Sequence, residues 1–214
     1  MEKTPDLAGL RRSYVTSGLS VEEMADGPAE QFARWFDDAM AAGIAEPNAM
    51  VLATASAAGE PSARTVLLKG HDSDGFRFFT NHMSRKGRDV AENPRASLVF
   101  PWHAMQRQVV VAGEVELLPE AESAAYFRSR PYGSRLGAWA SRQSSVIDSR
   151  EELDRRYAEL EGRWPSEVPV PDFWGGYLVR PKSVEFWQGR QDRLHDRLRY
   201  RHAGQSWILE RLSP

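Results

Sequence analysis

Between residues 49 and 117 the chain is cut into short runs of β-branched and aromatic residues, and this pattern limits the fold more than any other feature. Ala49 to Ala55, Ala63 to Lys69, Phe76 to Thr80, Ala96 to Pro101 and Gln108 to Leu117 each have strand length. Ala58-Gly59-Glu60 and Asp72-Ser73-Asp74-Gly75 supply turn chemistry between them. Short strands at such spacing predict an antiparallel barrel that is closed or nearly closed. The expected class is mainly β with flanking helices (α+β).

Helical signals flank and interrupt the strands. Ser20-Val21-Glu22-Glu23 has the form of a capping box, and Pro28 suits a first helical turn, after which Phe32, Trp35, Phe36, Ala39 and Met40 recur at helical spacing until Gly43. Ser84 to Glu92 predicts a helix carrying Arg85, Lys86 and Arg88 near its start. Positive charge there opposes the helix dipole, a conflict that a bound anion would relieve. Pro119 to Arg130 is a further helix, and Ser149-Arg150-Glu151-Glu152 opens another with Leu153, Tyr157 and Leu160 as its apolar stripe. Pro165 to Asp172 holds three prolines and reads as a rigid linker. Gly176 to Arg180, Ser183 to Trp187, Leu194 to Arg201 and Ser206 to Leu212 are the last strands, the final two joined at His202-Ala203-Gly204-Gln205. The expected layout is one compact domain: an arm over 1–27, a barrel region over 28–118, a helical region over 119–172 and C-terminal strands over 173–214.

Composition matters chiefly for what it excludes. A formal charge of −2 over 214 residues argues against nucleic acid, whose phosphate backbone calls for a clearly basic domain. The absence of cysteine removes disulfides, zinc thiolates and thiol nucleophiles. No apolar run approaches the roughly 20 residues of a membrane helix, and Met1 to Asp6 lacks a secretory apolar core, so a cytoplasmic protein is expected. Dinucleotide, Walker A, nucleophile-elbow and H-x-x-x-H patterns are absent, and the five histidines show no ligand spacing, so no metal is expected.

Basic clusters carry the chemistry that is left. Arg193-Leu194-His195-Asp196-Arg197 closely follows Phe186-Trp187-Gln188-Gly189, setting two guanidiniums, an imidazole and a carboxylate beside an indole. Such a set grips a flat, anionic, aromatic ligand; the same residues also occur as solvated charges on a terminal strand. Upstream, Arg64 and Lys69 bracket a strand, and Thr80, Ser84, Arg85 and Lys86 add hydroxyls and cations, which together suit a phosphate held without a P-loop. Tyr126 and Arg130 share one face if the helix runs through them, and with Ser134 they form a second small anion site.

In order and identity these clusters resemble the FMN-dependent pyridoxine (pyridoxamine) 5′-phosphate oxidases, from about Leu10 to Pro214. The resemblance implies a split β-barrel FMN-binding fold and a homodimer with FMN at the subunit interface, each site built from both chains. It implies oxidation of pyridoxamine or pyridoxine 5′-phosphate to pyridoxal 5′-phosphate, with O2 reduced to H2O2. By the same resemblance FMN falls to Arg64, Thr65, Val66, Leu67, Leu68, Lys69, Phe79, Thr80, Arg85, Lys86, Gln108, Gln143, Ser144, Trp187 and Arg197. Lys69, Tyr126, Arg130 and Ser134 take the substrate's phosphate, while Arg193, Leu194 and His195 face its ring, with Arg193 and His195 the catalytic pair. Arg11, Arg12, Ser13 and Tyr14 fold over it as a lid.

Two positions depart from the family pattern. Phe79 stands where tyrosine is common, and Arg190 where a second glycine often follows Gln188-Gly189. Two other readings are a related FMN oxidase of phenazine-type precursors and a non-catalytic flavin- or haem-binding split barrel.

Overall fold

The structure, a computed structural model, describes Tyr14 and residues 18–214. Arg11, Arg12 and Ser13 of the expected lid lie outside the described residues. In chain order the elements are α1 (Pro28–Ala41), β1 (Ala49–Ala55), β2 (Pro61–Leu67), β3 (Gly70–Asp72), β4 (Gly75–Asn81), α2 (Arg85–Glu92), β5 (Arg95–Trp102) and β6 (Arg107–Leu117). Then come α3 (Glu120–Ser129), α4 (Tyr132–Ala140), α5 (Arg150–Arg163), β7 (Trp174–Gln188), β8 (Asp196–Ala203) and β9 (Ser206–Arg211). The protein is mainly β with flanking helices, and it divides into two units. One comprises the described residues up to Pro47, Phe100–Val110 and Ser183–Pro214; the other comprises Asn48–Val99 and Val111–Lys182.

In the Asn48–Val99 and Val111–Lys182 unit the strand order is β2-β1-β5-β6-β7-β4-β3. Alternation sets the faces: Met50, Leu52 and Thr54 of β1 point inward, as do Phe76, Phe78 and Thr80 of β4. The first and last strands of this order are joined by Leu68 and Lys69 alone. That link reaches about 10 Å, whereas the same strands laid flat would set β2 and β3 about 29 Å apart. The sheet therefore has to roll up, as the barrel pattern in the sequence requires. The Lys69 N–H, donating to the Arg77 carbonyl at 2.8 Å, pins the corner. Gly75, at φ +145°, permits the β3–β4 turn, because a Cβ there would lie 2.1 Å from the Val179 carbonyl oxygen. A satellite core of Phe127, Leu136, Val168 and Trp174 packs α3 and α4 onto the start of β7.

In the other unit α1 buries Phe32, Trp35 and Ala39. Phe32 meets Phe100 with ring centroids 4.8 Å apart, and Trp35 meets Phe186 edge-on at 5.2 Å. β7 pairs with β8 from Ser183 to Gln188, and β8 with β9 across a turn at Gly204, φ +67°. The buried Tyr200 hydroxyl donates to the Ala25 carbonyl at 2.6 Å.

Several local expectations are corrected. Ser20 to Glu23 is a turn and not a helix: Glu23 accepts from the Ser20 N–H at 3.1 Å, but the few residues before Gly27-Pro28 are too short to nucleate one. Ser149 precedes α5, yet its side chain makes no cap bond. β7 is one strand where two were expected: it pairs with β4 up to Val179 and with β8 from Ser183, and Pro181 falls in the gap between those two ladders. α4 was not expected, since Gly133 and Gly137 weaken its helix signal; it forms by burying Leu136 and Ala140.

Candidate functional site

The Asn48–Val99 and Val111–Lys182 unit contains a cleft of about 1010 Å³. Its floor comes from β2 and the end of β4, one wall from the first turn of α2, and the other from the α3–α4 junction with Gln143 and Ser144.

α2 begins tightly. Ser84 caps it, its Oγ accepting from Gly87 N at 3.4 Å and donating to the Asn81 carbonyl at 2.7 Å. A Cβ at Gly87 would lie 2.0 Å from the His82 carbonyl oxygen, so only glycine allows this approach. Lys86 is thereby turned inward, 7% exposed, donating to Thr80 Oγ1 at 3.1 Å, Ser84 Oγ at 3.2 Å and Gln143 Oε1 at 3.1 Å. Among the described residues no carboxylate pairs with it. Burial, reinforced by the nearby Arg64 charge, lowers its pKa to about 8.

Arg64 is held from behind. Its Nη1 donates to the Leu52 carbonyl at 3.1 Å and to Thr54 Oγ1 at 2.8 Å, and Nη2 donates to Ser62 Oγ. Both hydroxyls in turn donate to Asp89 Oδ2, Thr54 at 2.6 Å and Ser62 at 2.7 Å. Burial alone would raise the Asp89 pKa, but these hydroxyls and the Arg64 charge hold it below the usual carboxylate range. Three of the five guanidinium N–H groups are thus engaged, and two are left for a ligand. Asp89, Thr54 and Ser62 were not expected in the site. The one signal was Thr54, a hydroxyl at an inward position of β1 where alternation asks for an apolar residue.

At the opposite wall Phe79 stacks on Tyr126, centroids 4.0 Å apart and planes 25° apart, and lies nearly parallel to Trp174 at 5.7 Å. At Phe79 the ring itself is used, in this stack. The Arg130 Cζ lies 4.7 Å from the Trp174 ring and 5.6 Å from Phe127, and its Nη1 is buried without a hydrogen-bond partner. α3 stops at Ser129, so Arg130 does not share a helical face with Tyr126 as expected. Pro131 forces it to an extended ψ of 149°, yet both side chains line the cleft. Lys69, Ser134, Arg85, Gln143 and Ser144 line it too, as do Thr65, Val66 and Leu67. Leu68 does not: its side chain is buried in the core, and its backbone N–H and C=O are both bonded to Asn48.

Gln108, Trp187, Arg193, Leu194, His195 and Arg197 belong to the other unit, with Tyr14. There the Trp187 and His195 rings are 4.6 Å apart, and Tyr14 lies 6.2 Å from Trp187 and 5.9 Å from His195. His195 Nδ1 accepts the Arg190 N–H at 3.0 Å, which assigns the proton of the neutral ring to Nε2. Arg193 sits in a 3₁₀ turn and not on a strand; it and Asp192 are both left-handed, at φ 62° and 55°, a strained pair of the kind that aims side chains at functional sites. Leu194 is exposed and Gln108 half-buried. Arg197 is engaged by the protein, forked on Glu185 at 2.8 and 3.1 Å and donating to the Ser213 carbonyl. Arg190 turns its guanidinium to Asp196 at 3.1 Å. Among the described residues no His, Asp or Glu cluster is placed to hold a metal, and no helix is long and apolar enough to cross a membrane.

Residues 36–163 match the family model described as pyridoxamine 5′-phosphate oxidase, and residues 174–214 match the pyridoxine 5′-phosphate oxidase C-terminal dimerisation region. The chain is 58% identical over 216 residues to a pyridoxine/pyridoxamine 5′-phosphate oxidase of Frankia alni, covering 98% of this chain and 90% of the relative. It is 57% identical to one of Rubrobacter xylanophilus, covering 98% and 97%. Among solved structures it is similar to PhzG of Burkholderia lata in complex with tetrahydrophenazine-1-carboxylic acid, with a TM-score of 0.86, 33% identity and coverage of 90% and 95%. An FMN-binding protein of Nostoc punctiforme related to pyridoxamine 5′-phosphate oxidase shares the fold, with a TM-score of 0.69, 19% identity and coverage of 89% and 100%.

Proposed function

The chain belongs to the pyridoxamine 5′-phosphate oxidase family, and from that premise we infer that it oxidises pyridoxamine and pyridoxine 5′-phosphates to pyridoxal 5′-phosphate, using FMN and O2 and releasing H2O2, with water taken up and ammonia released where the substrate is the amine. The observation that carries the reading is that one cleft presents two separate cation groups, one around Arg64 and Lys86 and one around Arg130. A single phosphate needs one such group, whereas FMN and a phosphorylated substrate need two.

The donor chemistry fits FMN. An ammonium that is buried without a carboxylate partner among the described residues and a guanidinium fork with two spare N–H groups are complementary to a phosphate dianion. Arg64, Lys86, Thr80 and Arg85 would hold that phosphate, with the rest of β2, Gln143 and Ser144 along the cofactor. When bound, FMN would supply the two-electron redox chemistry between the substrate and O2. The protein binds and orients. Lys69, Tyr126, Arg130 and Ser134 take the substrate's phosphate. Arg193 and His195 serve the pyridine ring and the reacting carbon in a homodimer whose FMN sites draw on both chains. His195, whose neutral ring carries its proton on Nε2, is suited to donate a hydrogen bond from Nε2 there.

The test is direct. Purified protein should show a flavin absorbance band, release FMN on denaturation, and form H2O2 and pyridoxal phosphate from pyridoxamine phosphate. Flavin-loaded protein that turned over tetrahydrophenazine-1-carboxylic acid but not pyridoxamine phosphate would overturn the substrate; protein with no affinity for FMN would overturn the whole reading.

A further inference from the structure

The guanidinium of Arg130 is placed without any of the usual devices. α3 has ended one residue before it, Pro131 fixes only its backbone, and among the described residues no carboxylate pairs with it and no acceptor takes its N–H groups. What touches its flat face is aromatic. Trp174 and Phe127 meet at 69° with centroids 5.0 Å apart, and the Arg130 Cζ rests in that corner, nearer to Trp174. Trp174 is itself immobilised: it is the first residue of β7, is paired with Asn81, and lies within 14° of parallel to Phe79 and 11° of parallel to Tyr126.

A carboxylate would hold an arginine as firmly, but it would occupy the N–H fork and cancel the charge. A ring face attracts the cation through its quadrupole and leaves every N–H free. The buried, unpartnered Nη1 is then a donor waiting for an acceptor. We propose that Trp174 is a positioning residue for Arg130, and that this aromatic seat is what makes the cleft prefer a phosphorylated substrate over the free vitamin. The proposal rests on the reading that Arg130 serves the substrate's phosphate.

The experiment uses full-length FMN-loaded protein carrying Trp174→Leu or Trp174→Phe. It reads kcat/KM for pyridoxamine phosphate and for pyridoxamine, Kd for pyridoxal phosphate and for pyridoxal, and FMN stoichiometry. Trp174→Leu should reduce the preference for the phosphorylated form about tenfold in both ratios, and Trp174→Phe about threefold, because benzene is the weaker seat. Values for the unphosphorylated compounds and FMN content should hold within about twofold. Because Trp174 is also a core residue, the phenylalanine variant decides alone if the leucine variant does not fold. A preference unchanged in a folded variant, or an equal fall for both forms, overturns the proposal. Arg130→Ala separates the layers: if it keeps the preference, the reading of Arg130 itself fails. If it loses the preference while both Trp174 variants keep it, only the role of Trp174 fails.

Discussion

Lys86 makes a prediction with two opposite signs. Its ammonium is buried among hydroxyls with no carboxylate beside it among the described residues, and burial lowers its pKa to about 8 from an ordinary 10.5. A phosphate dianion placed beside it favours the charged form, so FMN binding takes up a proton wherever the free protein has lost one. If binding restores the ordinary pKa, the Kd for FMN should rise about tenfold between pH 7 and pH 9. Folding responds the other way. Between pH 8 and 10.5 the unfolded chain holds a proton at Lys86 that the folded chain has released, so this residue's contribution to stability increases with pH, by up to about 3 kcal/mol. FMN-free protein, titrated with FMN by fluorescence quenching and unfolded in urea across that range, should show weaker binding and higher stability as pH rises, each relative to Lys86→Met. Equal pH slopes for wild type and variant in both assays would refute the argument, because the lysine would then not titrate in this window.

Three further outcomes follow from the geometry. Asp89→Ala leaves the Thr54 and Ser62 hydroxyls and the Arg64 guanidinium without their shared acceptor, and should cost about 2–4 kcal/mol in denaturant unfolding of the FMN-free protein; a change under about 0.5 kcal/mol would contradict the network. Arg193→Leu should slow turnover of pyridoxamine phosphate at least about tenfold, or about 1.4 kcal/mol of barrier, with FMN retained, and unchanged turnover would remove Arg193 from catalysis. The mass in solution at low micromolar concentration should be twice the 24.2 kDa of the chain, and a monomer that still bound FMN tightly would refute sites built from both chains.

What the sequence made legible was what local chemistry decides. β1 was readable to the residue because Met50, Leu52 and Thr54 alternate with half-exposed neighbours, and α1 because Phe32, Trp35 and Ala39 keep one face. Long-range choices were not. β7 runs unbroken through Pro181 because it changes partners there, and pairing is invisible in a single strand's pattern. α4 forms against a core completed by Val168 and Trp174, residues distant in sequence. The same limit applies in the site: the cations Arg64, Lys86 and Arg130 were readable by type, whereas Asp89 and Trp174, which determine how two of them are held, come from elsewhere in the chain.

How those cations are held decides what each can do. Two phosphate dianions about 10 Å apart repel by about 7 kcal/mol at an effective dielectric near 20, so one shared cation cluster would bind the second far more weakly than the first. Arg64 already has part of its charge answered by Asp89, 3.8 Å away, and contributes direction more than net charge. Lys86 contributes charge that burial makes easy to lose. Of these three, Arg130 is the one that is both permanently charged and unanswered by any carboxylate among the described residues. A cleft that has to take a second dianion beside a first needs such a group on its far wall. An aromatic seat can provide it, whereas an ion pair of the Arg64–Asp89 kind would leave that wall close to neutral.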